Sequence, residues 1–330
     1  MRALNDFRIQ NPMNTHTKLQ PTISCVIPAY NEGANLGRVL PDIIEKISSL
    51  SSVFEVILIN DGSKDNTHQV AEDLMALYPE IVYIELSRNF GKEAAMTEGL
   101  EKAKGDMVFL MDADGQHPTS LLATMYQKWQ EGIEVVFAVR NTREDQSALY
   151  ANLTGFFYAL INLGGRFEIP RNAGDFRLMD RKVVDALLSL QETNRFMKGL
   201  YAWVGFSSFA IGYEPLLRLQ GQSNFGLLGG LKLALTGMFA FSTAPLRLLT
   251  ASGLMLSIGS MIYIAWIVFE HYYFGISVPG YATLIVSIVF FSGIQLLALG
   301  VISAYIARIY EEVKRRPLYL IRKQSGQGLK

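Results

Sequence analysis

Residues 106–118, DMVFLMDADGQHP, hold the reading on which the fold turns. Asp106 to Met111 is an apolar run of strand length, too short for an ordinary helix. It ends in a polar turn, Asp112-Ala113-Asp114-Gly115-Gln116-His117, before Pro118. Two carboxylates separated by one residue repel each other unless a cation sits beside them. Their hard oxygens suit Mg2+ or Mn2+, and Mg2+ is typically held by one or two carboxylates together with substrate phosphates. Asp112 and Asp114 are therefore the candidate metal ligands. His117 reads more simply as a polar turn residue before Pro118.

Outward from this stretch the same unit repeats. Ile23 to Pro28 is an apolar run broken by Ala29-Tyr30-Asn31-Glu32-Gly33, and residues 34–50 place Leu36, Val39, Leu40, Ile43, Ile44 and Ile47 at helical spacing. Phe54 to Ile59 is a second strand, ended by Asn60-Asp61-Gly62-Ser63, with a helix through Val70, Leu74 and Leu77. A third strand at Ile81–Leu86 precedes a helix over 91–104. Beyond the opening stretch, a helix near 118–131 and a strand at Val135–Val139 complete the run. Strands alternating with helices at this spacing predict βαβ units, a mainly parallel sheet and an α/β fold. Open sheets of this kind bind ligands at the carboxyl ends of their strands. Tyr30, Glu32, Asp61, Asp112 and Asp114 are thus expected on one edge.

Composition narrows the class. Of 330 residues, 50% are hydrophobic and 18% charged, which argues against disorder. Lys and Arg total 30, as do Asp and Glu, so no basic excess points to nucleic acid. The single cysteine, Cys25, excludes an intramolecular disulfide and a multi-cysteine zinc site, and it reads as a small buried hydrophobe. The mean hydropathy of +0.20 is high for a soluble enzyme, and its source is local. Leu248–Phe269 and Tyr281–Ala307 contain no Asp, Glu, Lys or Arg, and each is long enough to cross a bilayer as a helix. Arg247 precedes the pair, Arg308, Lys314, Arg315 and Arg316 follow it, and the connection holds Glu270 and His271 without Lys or Arg. The positive-inside rule then puts both ends and the soluble body in the cytoplasm. Gly253, Ser257, Gly259 and Ser260 would allow the hairpin to pack against copies of itself, which makes a homo-oligomer compatible with the sequence.

The expected organisation is a flexible leader over 1–20, a catalytic domain over 21–225, an interfacial helix over 226–247, membrane helices over about 248–270 and 281–307, and a basic cytoplasmic tail over 308–330. Residues 1–20 are polar and carry no secretory signal. Residues 146–165 suit either a helix on the membrane surface or a core helix of the soluble domain.

Four stretches taken together, CVIPAYNE (25–32), NDGS (60–63), SRNFGK (87–92) and DADGQHP (112–118), resemble the inverting family 2 glycosyltransferases. Within that family the chain is similar to the dolichol-phosphate mannosyltransferase-like branch. Its bacterial polyprenyl-phosphate (bactoprenol) glucosyltransferases carry two C-terminal membrane helices. The resemblance implies a GT-A fold and a nucleotide-sugar donor, a UDP- or GDP-sugar. By resemblance, Pro28, Tyr30 and Glu32 contact the nucleotide, Ile59 and Asp61 flank its base and ribose, and Asp112, Ala113, Asp114 and Gln116 line the diphosphate and sugar. Arg140 and Arg218 match family arginines near the donor, and a guanidinium suits bidentate bonding to phosphate. One loop departs from the pattern: Arg218 to Asn224 reads RLQGQSN, and Asn224-Phe225 stands where relatives have Lys-Tyr.

GDFRLM (174–179) resembles the acceptor-side motif of the branch, where Asp175 is the candidate base. The implied nucleophile is a lipid monophosphate whose second pKa near ~6 leaves it largely ionised at neutral pH, so a strong base is not required. Asp175 then has orientation as its alternative role, and Arg177 and Arg195 would offset the repulsion between two phosphate-bearing substrates. The implied reaction is transfer of a sugar, glucose from UDP-glucose in the first instance, to undecaprenyl phosphate at a bacterial inner membrane. The alternatives are GDP-mannose or a UDP-pentose as donor, another lipid acceptor, and a membrane-anchored nucleotide-sugar binder without catalysis. The Gln-x-x-Arg-Trp motif of processive synthases is absent from the sequence.

Overall fold

The computed structural model describes residues 20–141, 173–216, 244–274 and 280–329. Residues 1–19 of the leader expected over 1–20, the helix expected within 146–165, residues 226–243 of the interfacial helix expected over 226–247, Arg218 and Asn224 lie outside these residues.

The alternation read from the sequence becomes β1 (Ile23–Ala29), α1 (Gly33–Leu50), β2 (Phe54–Asn60), α2 (Thr67–Leu77), β3 (Ile81–Leu86), α3 (Lys92–Lys102), β4 (Met107–Leu110), α4 (Leu121–Gln130) and β5 (Val135–Arg140). Then come β6 (Ala173–Asp180), α5 (Arg181–Ser189), α6 (Met197–Trp203) and β7 (Ser208–Tyr213). Two long helices, α7 (Ala244–Phe274) and α8 (Tyr281–Lys314), precede β8 (Ile321–Ser325). The strands form one sheet in the order β7-β5-β6-β4-β1-β2-β3-β8. Pairings β1–β2, β1–β4, β2–β3 and β5–β7 are parallel, while β6 and β8 run antiparallel to their neighbours.

Period-two alternation sends side chains to two cores. Ile23, Cys25 and Ile27 of β1 pack with Leu36, Leu40, Ile43 and Ile47 of α1 on one face. Val26, Ile57, Ile59 and Leu110 pack with Ala95, Met96 and Leu100 of α3 on the other. Both faces are covered, so the strands read as near-continuous apolar runs. Cys25 is fully buried there, and burial pushes its thiol up. The chain runs β1-β2-β3 to one side of β1 and then crosses back to place β4 on its other side. That reversal opens a crevice at the carboxyl ends of β1 and β4, the place where such sheets take ligands.

The long helices fit a different solvent. Leu248–Glu270 and Val286–Lys314 are apolar windows of 23 and 29 residues with none of their length buried against the protein. Met255, Met261 and Leu296 are 69%, 72% and 70% exposed. At about 1.5 Å per residue, the shorter window already exceeds the ~30 Å hydrocarbon core of a bilayer.

Beyond α8 the chain does not trail off as a simple tail. Residues 308–314 continue the helix, and β8 then pairs with β3 at the sheet edge. Glu312 accepts the Thr193 and Asn194 N–H groups, tying the end of α8 to the loop before α6. Tyr319 donates to Glu101 and Lys323 pairs with Glu72. Glu55, a β2 carboxylate only 2% exposed, accepts from the Ser24 hydroxyl, the Lys104 N–H and the Leu329 N–H. The last residues of the chain thus help satisfy a charge buried in the first βαβ unit, where an unpaired carboxylate would be costly. Local periodicity cannot register such a pairing, because its partners are more than 200 residues apart.

Candidate functional site

The turn after β4 is folded on itself. The Gln116 N–H donates to Asp114 Oδ1 at 3.0 Å, and Gly115 takes a positive φ of 73°. The Asp112 N–H donates to His117 Nδ1 at 3.1 Å. His117 is buried at 6% exposure, stacked on Phe176 with ring centroids 4.7 Å apart and edge-on to Tyr213. It is therefore a turn residue, as the sequence suggests, and one buried as part of the turn's foundation. Burial lowers its pKa, so the ring is neutral, and its acceptor role at Nδ1 assigns the proton to Nε2, 3.8 Å from Asp112 Oδ2.

Asp175 reaches the same crevice from β6. That strand runs antiparallel to β4 with Leu110 opposite Arg177, so two residues further along β4 Asp112 comes level with Asp175. Lys92, the first residue of α3, closes the gap: its Nζ lies 2.6 Å from Asp112 Oδ1 and 2.7 Å from Asp175 Oδ2. Burial pushes Asp175 up, but Lys92 and Lys198 outweigh it and hold the carboxyl well below the usual range. Asp112 is likewise lowered against its burial, chiefly by Lys92. Burial alone would lower Lys92, and the two carboxylates instead hold it above the ordinary lysine value. Lys92 was legible as the last residue of the SRNFGK stretch, but nothing local to it signals these two partners.

The loop that carries Lys92 is itself pinned. Both Asp61 oxygens accept backbone N–H groups, from Phe90 at 2.7 Å and Gly91 at 2.9 Å. Asp61 is 3% exposed, and burial raises its pKa against those two bonds. Gly62 has a φ of 64°, and a Cβ there would meet the Arg88 backbone at 2.4 Å. On its other side the Ser87 N–H donates to Leu320 O, and Arg322 donates to Ser87 O.

The remaining expected residues divide by position. Gln116 and Arg140 are brought together: Arg140 Nη2 donates to Gln116 Oε1 at 3.1 Å and its Nε to the Tyr213 hydroxyl at 3.3 Å. Tyr30 and Glu32 stand at the carboxyl end of β1, and Glu32 accepts the Asn35 side-chain amide at 2.6 Å. Pro28, Ile59 and Ala113 are buried at that edge. Arg177 is 3% exposed beneath the crevice, its guanidinium 3.3 Å from the centre of the Tyr201 ring and its Nη2 on Gly174 O. Arg195 spends both terminal nitrogens on backbone, donating to Leu187 O and Leu190 O at the end of α5. Glu93 accepts the Met197 N–H behind Asp175. Burial and then the Asp175 charge push its carboxyl up to about 8, against the Met197 bond and the nearby lysines.

No group of three or more His, Cys, Asp and Glu among the described residues could hold a metal unaided. Asp112 and Asp114 nevertheless fit Mg2+ or Mn2+ in the form that needs a substrate: hard carboxylate oxygens from one turn, with phosphate oxygens completing the shell. A cavity of about 170 Å³ opens beside Asp112 between the turn and α1, lined by Arg38, Asp42, Thr119 and Leu216 among others.

Residues 24–188 match the family described as Glycosyl transferase family 2. The chain is 42% identical over 299 residues to the uncharacterized glycosyltransferase sll0501 of Synechocystis, covering 91% of this chain and 94% of the relative. It is 40% identical over 301 residues to the SfII prophage-derived bactoprenol glucosyl transferase of Shigella flexneri, covering 91% and 97%. Among solved structures, the mannosyltransferase PcManGT of Pyrobaculum calidifontis in complex with GDP-Man and Mn2+ aligns with a TM-score of 0.45 at 15% identity, covering 89% and 87%.

Proposed function

The chain belongs to glycosyl transferase family 2, and from that membership and the crevice we propose that it transfers a sugar from a nucleotide-sugar to a polyprenyl phosphate at a membrane surface, with inversion. The observation that carries this reading is the union, in one chain, of a two-carboxylate turn at the sheet's reversal point with two exposed apolar helices. A soluble acceptor would leave the helices without a role, while a polyprenyl chain needs an apolar phase near the site.

Asp112 and Asp114 would hold a divalent metal together with the donor's diphosphate. Bound there, the metal supplies Lewis-acid stabilisation of the charge that develops on the leaving nucleoside diphosphate. Arg140, oriented by Gln116 and Tyr213, adds a guanidinium beside the same turn, fixed before the donor arrives. The acceptor phosphate is largely ionised at neutral pH and needs little help to attack. Asp175, held below the usual carboxylate range, is a weak base. Its role is orientation, with Lys92 and Lys198 supplying positive charge near the two substrates. Arg195, committed to the end of α5, supports the α5–α6 loop in this reading instead of touching the acceptor.

UDP-glucose is the first donor to test, with GDP-mannose and a UDP-pentose next. Arg247 before the pair of helices and four basic residues after it favour a cytoplasmic site with both ends inside. The return of the chain into the catalytic sheet as β8 supports the same arrangement, since it keeps the end of α8 on the side where the sheet lies. The experiment is a transfer assay on detergent-purified protein with undecaprenyl phosphate, each donor separately, Mn2+ or Mg2+, and an EDTA control. Sugar in the lipid fraction, lost with EDTA, is the expected result. No transfer from any donor despite nucleotide binding would reject the polyprenyl acceptor.

A further inference from the structure

Lys92 is placed too well for a surface lysine. Its ammonium contacts Asp112 and Asp175 on two adjacent strands, while 42% of its side-chain surface remains open to the crevice. The loop before it is held by both oxygens of Asp61, by the close approach of Gly62 and by Leu320 next to β8. Several distant elements therefore converge to put one positive charge on an oxygen of the turn's first aspartate. Asp112 Oδ1 cannot serve this ammonium at 2.6 Å and a divalent ion at full strength together, because two cations sharing one carboxylate oxygen repel each other.

We propose that Lys92 is a built-in counter-ion that occupies Asp112 in the donor-free protein and competes there with the divalent metal, so that tight metal binding waits for the donor's diphosphate. The inference rests on the reading of Asp112 and Asp114 as metal ligands. The diphosphate supplies the oxygens that let the metal win, and the ammonium keeps Asp175 as its partner on the acceptor side. Without its lysine, the crevice would hold Asp112, Asp114 and Asp175 with one fewer positive charge and would attract a free divalent ion prematurely.

The test is Mn2+ binding to the full chain in detergent, followed by the electron paramagnetic resonance signal of free Mn2+, with and without UDP or GDP. Lys92→Gln removes the charge and keeps a polar chain, while Lys92→Arg keeps the charge. The wild type is expected to bind Mn2+ weakly alone and more tightly with nucleotide. Lys92→Gln should bind Mn2+ about tenfold more tightly than wild type without nucleotide, a gain of the size of one charge-assisted bond, and the gain should shrink with nucleotide. Lys92→Arg should behave like wild type, which also separates loss of charge from loss of fold. Unchanged or weaker nucleotide-free binding in Lys92→Gln, with nucleotide-dependent binding intact in wild type, overturns the inference alone. Failure of the wild type to bind Mn2+ with either nucleotide overturns the metal reading and the inference with it.

Discussion

Asp112 and Asp114 sit two residues apart, yet their surroundings set them different tasks. Asp112 is shared among Lys92, His117 and its own backbone bond, whereas Asp114 braces the turn through the Gln116 N–H. Asp114→Asn preserves that brace and removes charge. It should lower sugar transfer by about a hundredfold or more while the thermal midpoint stays near wild type. A mutant retaining near-normal turnover would remove Asp114 from the chemistry. Arg140→Lys cannot reproduce the two bonds to Gln116 and Tyr213 or a bidentate grip on phosphate. The KM for the donor should rise about tenfold with a smaller change in kcat. Glu93 makes a prediction of the opposite kind. Its carboxyl is ordinarily near 4.5 and is pushed up to about 8 by burial and by Asp175. The folded protein therefore holds this proton more tightly than the unfolded chain, and the contribution is complete below 4.5 and lost as pH rises through 8. Glu93→Gln keeps an acceptor for the Met197 N–H without the titration. The wild-type unfolding midpoint should fall across that window more steeply than the mutant's, and parallel pH curves would reject the assignment.

Elements act on the crevice from a distance. β8 pairs with β3 at the sheet edge and flanks the point where the Lys92 loop leaves that strand. Arg322 donates to both Glu85 and Ser87 O there, while Lys323, next along the strand, pairs with Glu72 on α2. Arg322→Ala should therefore reduce kcat about fivefold by loosening the loop, with little change in stability because the side chain is exposed. Lys323→Ala should leave kcat unchanged. Equal effects from both would mean that β8 acts on the sheet as a whole and not on the loop. The helices were legible one by one: the apolar positions of α1 and the carbon-rich lengths of α7 and α8 repeat within a single element. β8 was not legible, since IRKQS has no apolar face and becomes a strand only by adding to the exposed edge of β3.

On the scale of the whole molecule, the end of the second apolar helix is tied to the catalytic sheet through Glu312 and β8. The second long helix leads into β8, a strand of the sheet. Truncation at residue 243 would remove the two apolar helices and β8 together, leaving the β3 edge open and Glu55 without its Leu329 bond. Such a fragment should unfold roughly 5 °C or more below the full chain and should aggregate through the open edge. An unchanged midpoint would show that the sheet does not depend on its last strand. What the sequence by itself determined is whatever repeats locally: the strand–helix alternation, the two membrane-length runs and the carboxylate turn after β4. Each is written in neighbouring residues, because side chains repeat every two residues along a strand and every 3.6 along a helix. Only the tertiary structure decided that Lys92 stands between Asp112 and Asp175, that Arg195 closes α5, that His117 is buried under the turn and that the chain's end completes the sheet. Those contacts join residues up to hundreds of positions apart, and their charges acquire an environment only when the strands bring them within hydrogen-bonding distance.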